Sequence, residues 1–119
     1  MSYDIALSDP DTGETIKLDR KHQWKGGTYC MGGSELAELN ITYNYSEILE
    51  RVLGEAGIRA LYGKTGSQSL EMLTAALKKL AEEPPDNDYW KATDGNVRMA
   101  LIAVLDLATM CPDGIWGGD

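Results

Sequence analysis

The sequence predicts an α+β fold: a small antiparallel sheet from the N-terminal half, packed against about three helices from the C-terminal half. Two patterns predict it. Up to Tyr43 the apolar residues recur with a period of two, as they do along half-buried strands. From Ile48 onward they recur at helical spacing. Elements segregated in this way place helices on one face of an antiparallel sheet. With 119 residues, the chain fits one domain spanning 1–119, large enough for a core without disulfide staples.

Tyr3, Ile5 and Leu7 alternate along the first strand, and Asp9-Pro10-Asp11-Thr12-Gly13 is a turn by composition. Ile16 and Leu18 resume the alternation, so the two segments are expected to pair as a hairpin. A polar connection, Asp19 to Lys25, leads to a short expected strand, Thr28-Tyr29-Cys30, between two glycine pairs. Leu36, Leu39, Ile41 and Tyr43 predict a strand over Glu35–Tyr43, and the step from Leu36 to Leu39 breaks strict alternation where a bulge would.

Ile48, Leu49, Val52, Leu53 and Ala56 then predict a helix. Asn44 is its expected N-cap and Glu47 the residue returning a bond, and its end is placed at Gly57, or past Leu61 at Gly63. Ser67–Ala81 is the cleanest helix, with Leu70, Leu73, Leu77 and Leu80 on one face, Lys78 and Lys79 pointing away, and Ser67 as cap. Pro84-Pro85 stop it, and Glu82–Asp88 is an acidic loop. Thr93 is the expected cap of a last helix, Asp94–Met110. Met99–Leu105 is apolar all round, so Leu101, Ile102 and Leu105 are expected to be almost fully buried. Pro112-Asp113-Gly114 turns the chain, and Ile115-Trp116 folds back to seal the core.

The net charge of −8, from 19 acids against 11 bases, disfavours direct binding to nucleic acid phosphates and would steer a basic protein partner inward. No apolar run approaches the ~20 residues of a membrane span. The opening MSYDIALSDPD has no basic region and no long apolar stretch, so a cytoplasmic protein is expected, with Cys30 and Cys111 both reduced. In that compartment the sequons at Asn40 and Asn44 carry no weight.

Catalytic and metal signatures are weak. Gly63-Lys64-Thr65 invites comparison with a phosphate-binding P-loop, but five residues separate Gly57 from Gly63 where the motif has four, and a helix precedes them. Asp9, Asp11, Gly13 and Glu14 resemble part of a calcium loop with its glycine one place early. His22, Cys30 and Cys111 lack any zinc-ligand spacing, and no carboxylate pair is singled out for acid–base work. No cofactor, metal site or catalytic residue is expected. What remains is an aromatic–amide cluster: Trp24, Tyr29, Asn40, Tyr43, Asn44 and Tyr45, with Lys64 as a phosphate contact if its loop folds close. Aromatic faces can stack on a base and an amide can read a base edge, so a small nucleotide is one candidate ligand. The same residues read equally as a strand with a helix cap. Glu82, Glu83, Asp86 and Asp88 form the densest acidic patch.

Several segments are distinctive: Tyr3-Asp4-Ile5 with Asp9-Pro10-Asp11-Thr12-Gly13-Glu14, Gly26-Gly27-Thr28-Tyr29, Asn40–Ser46 as NITYNYS, Tyr89–Asn96 as YWKATDGN, and Pro112–Trp116 as PDGIW. Together they resemble a family of small accessory proteins encoded by bacteriophages and prophages, over most of the chain. The resemblance implies a source and a context: an accessory protein acting in the cytoplasm of a bacterial host. Small acidic proteins of that kind often antagonise host defences, an argument by association. The expected function is therefore non-enzymatic binding that antagonises a bacterial defence system, either by occupying a basic surface of a defence protein or by sequestering a nucleotide signal. A virion or assembly protein is the alternative, and a small enzyme without a recognisable motif the next. A homo-oligomer is compatible with the sequence.

Overall fold

Tyr3, Ile5 and Leu7 point to one side of strand β1 (Ser2–Ser8), and all three are buried. The computed structural model describes residues 1–22 and 34–119. Within them β1 is the middle strand of a three-stranded antiparallel sheet, flanked by β4 (Glu38–Thr42) and β5 (Ile115–Gly118). Tyr3 faces Ile41, and Leu7 faces Trp116. Strands β2 (Lys17–His22) and β3 (Ser34–Leu36) form a separate two-stranded antiparallel sheet. Helices α1 (Ser46–Leu53), α2 (Gly66–Lys78) and α3 (Asp94–Met110) follow, so the α+β architecture expected from the sequence is the one observed.

The expected hairpin is only half made. The turn forms: the Gly13 amide donates to the Asp9 carbonyl at 2.8 Å, and Ser8 bridges Thr15. Beyond Ile16 the two strands part, because Ala37 enters between them. Its carbonyl accepts from the Leu7 amide at 2.9 Å and its amide donates to the Ile16 carbonyl at 2.8 Å. Ala37 is therefore the fork between the two sheets, and the single strand expected over Glu35–Tyr43 is two strands, β3 and β4, in different sheets. Leu36, which broke the alternation, is exposed, whereas Ala37, Leu39 and Ile41 are buried in strict alternation.

The helix boundaries also differ from expectation. Thr42, not Asn44, caps the chain as it leaves β4: its hydroxyl accepts from the Asn44 amide, opening a short 3₁₀ turn, Tyr43–Tyr45, that runs into α1. Helix α1 stops at Leu53, one turn earlier than Gly57, because Gly54 adopts φ +98°, a conformation glycine reaches without strain. A second 3₁₀ turn, Gly57–Leu61, follows. Helix α2 is capped by Thr65 rather than Ser67, in a reciprocal capping box with Gln68. Helix α3 matches its expected bounds and its Thr93 cap.

The core lies between the sheet and the helices. Leu49 and Val52 of α1, Leu73 and Ala76 of α2, and Val97, Ala100, Leu101, Val104, Leu107 and Ala108 of α3 meet Ile5, Leu7, Ile41 and Trp116 of the sheet. Helix α3 is not buried all round: Leu101 is fully buried, but Ile102 and Leu105 are half-buried and Met99 is 47% exposed. One side of α3 stays near solvent, so apolar residues at every position do not enforce burial. Among the described residues, no helix is long and apolar enough to cross a membrane.

Candidate functional site

The acidic segment between α2 and α3 is a built loop rather than a solvated charge run. Its centre is Asn96, in the first turn of α3 and only 4% exposed. The Asn96 side-chain carbonyl accepts from the Asp86 amide at 2.9 Å, and its amide nitrogen donates to the Asp88 carbonyl at 3.0 Å and the Lys91 carbonyl at 2.8 Å. A buried amide satisfied by three backbone groups ties the loop to the helix. The loop also passes against Gly95, where a Cβ would collide with the Pro84 carbonyl, so only glycine admits this approach.

Three of the four predicted carboxylates share in this construction. Glu83 accepts from the Gly95 amide at 2.9 Å, placing a negative charge on the N-terminus of α3, where the helix dipole favours it. Asp86 accepts from the Asp88 amide at 2.9 Å, and Asp88 from the Trp90 amide at 3.1 Å, two successive Asx turns. Lys91 lies 3.7 Å from the Asp86 carboxylate. Glu82 is exposed and lines a shallow cleft with Arg98, Lys78 and Thr74. Behind the loop, Asp94 accepts from the Ala81 amide at 2.8 Å and from Arg51 at 2.5 Å. The Ala81 N–H first, and then Arg51, hold its carboxyl below the usual range against the opposing effect of burial.

The aromatic–amide cluster and the acidic loop, read separately in the sequence, meet in space. The Asn44 side-chain amide donates to the Trp90 carbonyl at 2.9 Å, and the Tyr45 hydroxyl donates to the Tyr89 carbonyl. Tyr45 itself is only 1% exposed. The 3₁₀ turn explains this reach: because Thr42 takes over the capping, Asn44 and Tyr45 are freed to face the loop. The Tyr89 and Trp90 rings lie 5.1 Å apart at an interplanar angle of 35°, and Trp90 remains 44% exposed.

Burial first, and the nearby Asp88 carboxylate second, push the Tyr45 phenol from 10.0 up to about 12. A phenol whose folded pKa is raised adds stability that is whole below pH 10.0 and lost as the pH climbs towards about 12. Replacing Tyr45 with Phe is expected to lower stability at neutral pH by about 1 kcal/mol, the worth of one hydrogen bond. It should also flatten the alkaline limb, which chemical denaturation across pH 8 to 12 would reveal. Retention of the full alkaline decline in Tyr45→Phe would assign that decline to another group.

The remaining predicted residues lie elsewhere. Asn40 sits on β4 opposite Asp4, and its side-chain amide donates to Ser2 Oγ at 2.7 Å and to the Asp4 carboxylate. Lys64 is exposed beyond the opposite edge of the sheet, its backbone carbonyl accepting from the Trp116 amide at 2.9 Å. Tyr43 packs edge-on against Tyr3, with centroids 4.6 Å apart. Trp24, Tyr29 and Cys30, with the strand expected at 28–30, lie outside the described residues. Cys111 is a free, buried thiol whose pKa is pushed up by that burial, which opposes thiolate chemistry. The Asp9 carboxylate accepts from the Asp11 and Thr12 amides, so it shapes the β1–β2 turn. Among the described residues, no three metal-ligating side chains converge.

Two features escaped the sequence reading. One is Asn96, whose signal was a polar residue four places before Ala100 on the buried side of α3. The other is a group at the end of the sheet: the Arg59 guanidinium lies 4.9 Å over the Tyr3 ring, and Arg59 and Tyr62 both donate to the Asp119 carbonyl, at 3.0 and 2.9 Å. These residues pin the second 3₁₀ turn to β1 and β5, and no local spacing joins residues that far apart. No family model, no curated protein and no solved structure matches the chain.

Proposed function

We propose that the protein is a small acidic, non-catalytic binding protein of phage type, and that its acidic loop occupies a basic surface of a bacterial host protein, antagonising a defence system. The observation that carries this reading is the construction of residues 82–91. Four carboxylates against one lysine are presented on a backbone already fixed by Asn96, so a partner need not order it on binding. Hydrogen bonds from backbone amides hold Glu83, Asp86 and Asp88 without cancelling their charge. The net charge of −8 adds long-range attraction for a basic face. The resemblance to phage accessory proteins supplies the host and the defence context. Of the two binding modes expected from the sequence, a protein partner is favoured over a nucleotide, because the amide of Asn44 and the hydroxyl of Tyr45 already serve the loop.

The test removes charge and keeps shape. Glu82→Gln, Glu83→Gln, Asp86→Asn and Asp88→Asn together retain every side-chain acceptor the loop uses. With a partner captured from a defence-competent bacterial host, the quadruple variant is expected to associate about tenfold more slowly, and added salt should slow the wild type likewise. Phage should then lose protection when carrying the variant. An association rate indifferent to both charge and salt would overturn the reading, as would recovery of the protein in purified virions with no host partner.

A further inference from the structure

We infer that Trp90 is the anchor of this surface and that it receives an arginine side chain of the partner, the indole taking the guanidinium face while Asp86 and Asp88 take its edge. The inference rests on the acidic loop being a protein-binding surface, and it names the chemical group that surface recognises.

Three observations carry it. First, Trp90 stays 44% exposed in a polar loop, where the apolar surface of its ring is left in water. Tryptophan is among the residues that dominate binding energy at interfaces. Second, the backbone around it is held at every residue. The Asp88 amide donates to Asp86, the Asp88 carbonyl accepts from Asn96, the Tyr89 carbonyl from Tyr45, the Trp90 carbonyl from Asn44 and the Lys91 carbonyl from Asn96. The Trp90 amide donates back to Asp88. Three separate elements, the 3₁₀ turn, α3 and the loop itself, thus fix the backbone that carries one exposed side chain. Tyr89, 5.1 Å away, backs the indole ring. Such pre-ordering lowers the entropic cost of engaging a partner.

Third, the surroundings select the ligand's charge. Asp86 and Asp88 lie within four residues of the indole on the same clamped backbone, opposed by Lys91, whose ammonium is 3.7 Å from Asp86 and mostly exposed. An exposed pair of that kind is weak and readily displaced. A cation beside carboxylates and an indole face is attracted by both, and tryptophan is the best aromatic partner for it. Lysine would satisfy the carboxylates as a point charge. Arginine alone offers a planar face for the ring and a donor fork for the acids. Asn44, which touches no partner in this scheme, is a positioning residue.

The probe is a short synthetic peptide alternating arginine and leucine, compared with its lysine and citrulline counterparts. Of the three tryptophans, Trp90 is identified by the indole N–H resonance lost in Trp90→Phe. The expected result is a shift of that resonance on titration with the arginine peptide, binding about threefold weaker with lysine, and none with citrulline. Trp90→Ala, with an unchanged melting temperature, should bind the arginine peptide about tenfold more weakly. Asn44→Ala should move the indole resonance of the free protein and weaken binding with every charge in place. Equal affinity for the lysine and arginine peptides would overturn the arginine assignment. Absence of peptide binding, an unmoved Trp90 resonance or a wild-type affinity in Trp90→Ala would overturn the anchor. If Trp90→Ala binds normally while the quadruple charge variant does not, the anchor fails and the acidic-surface reading stands. If both bind normally, both fail.

Discussion

Truncating Trp116 to alanine should cost about 3–5 kcal/mol, the range for emptying a buried aromatic site. The side chain is 1% exposed, and it sits on β5 opposite Leu7, where the C-terminal strand closes over the core. Its indole N–H donates to Ser69 Oγ at 2.9 Å, and that hydroxyl donates to the Gly66 carbonyl at 2.7 Å. Loss of the ring therefore opens a cavity and leaves a buried hydroxyl on α2 short of a donor. A domain of this kind holds only about 5–15 kcal/mol in total. The variant should unfold at markedly lower urea concentration, with partial unfolding near growth temperature. A loss below about 1 kcal/mol would mean that the end of the chain is dispensable to the core.

Leu101→Ala should cost about 2–5 kcal/mol, because the side chain is fully buried in the middle of α3, within the core that the sheet and the helices share. The control is Leu105→Ala, four residues on. Leu105 is half-buried, so its truncation exposes less new surface to an empty cavity and should cost distinctly less. Denaturant titration of the pair measures the contrast directly. Equal losses at the two positions would show that α3 is covered on both sides in solution.

These residues also mark how far the sequence could be read. Local signals were legible: the Thr93 cap, the bounds of α3, the apolar face of α2 and the return of Trp116 to the core all follow from spacing and turn chemistry within a few residues. Pairing between distant segments was not. Alternation showed that Tyr3–Leu7 is a strand with one buried face, but every alternating segment is an equally good neighbour by that criterion. The nearest, Ile16–Leu18, was displaced by Ala37, whose small side chain fits where the strands diverge. Capping failed for a related reason. Thr42 and Asn44 are both good caps two residues apart, and only the loop carbonyl that Asn44 finds at Trp90 decides between them.

The candidate site was legible in its parts and not in its assembly. The acidic residues and the Asn44–Tyr45 pair were each singled out by composition. Nothing in the spacing shows that residues near 45 and residues near 90 share a surface, since that contact is made by the fold as a whole.

The placement of β1 has a consequence for synthesis. This strand leaves the ribosome well before one of its two partners, Ile115–Gly118, which is more than a hundred residues downstream. Contacts of such long sequence separation form late and slow the search for the native state. While translation proceeds, β1 must wait with one edge unsatisfied, an edge able to recruit strands from other chains. Aspartate at position 4, in the interior of that strand and exposed, places a charge where a foreign strand would have to align. Nascent chains stalled before residue 115 should accordingly remain protease-sensitive and prone to associate, and release of β5 should be the step that makes them resistant.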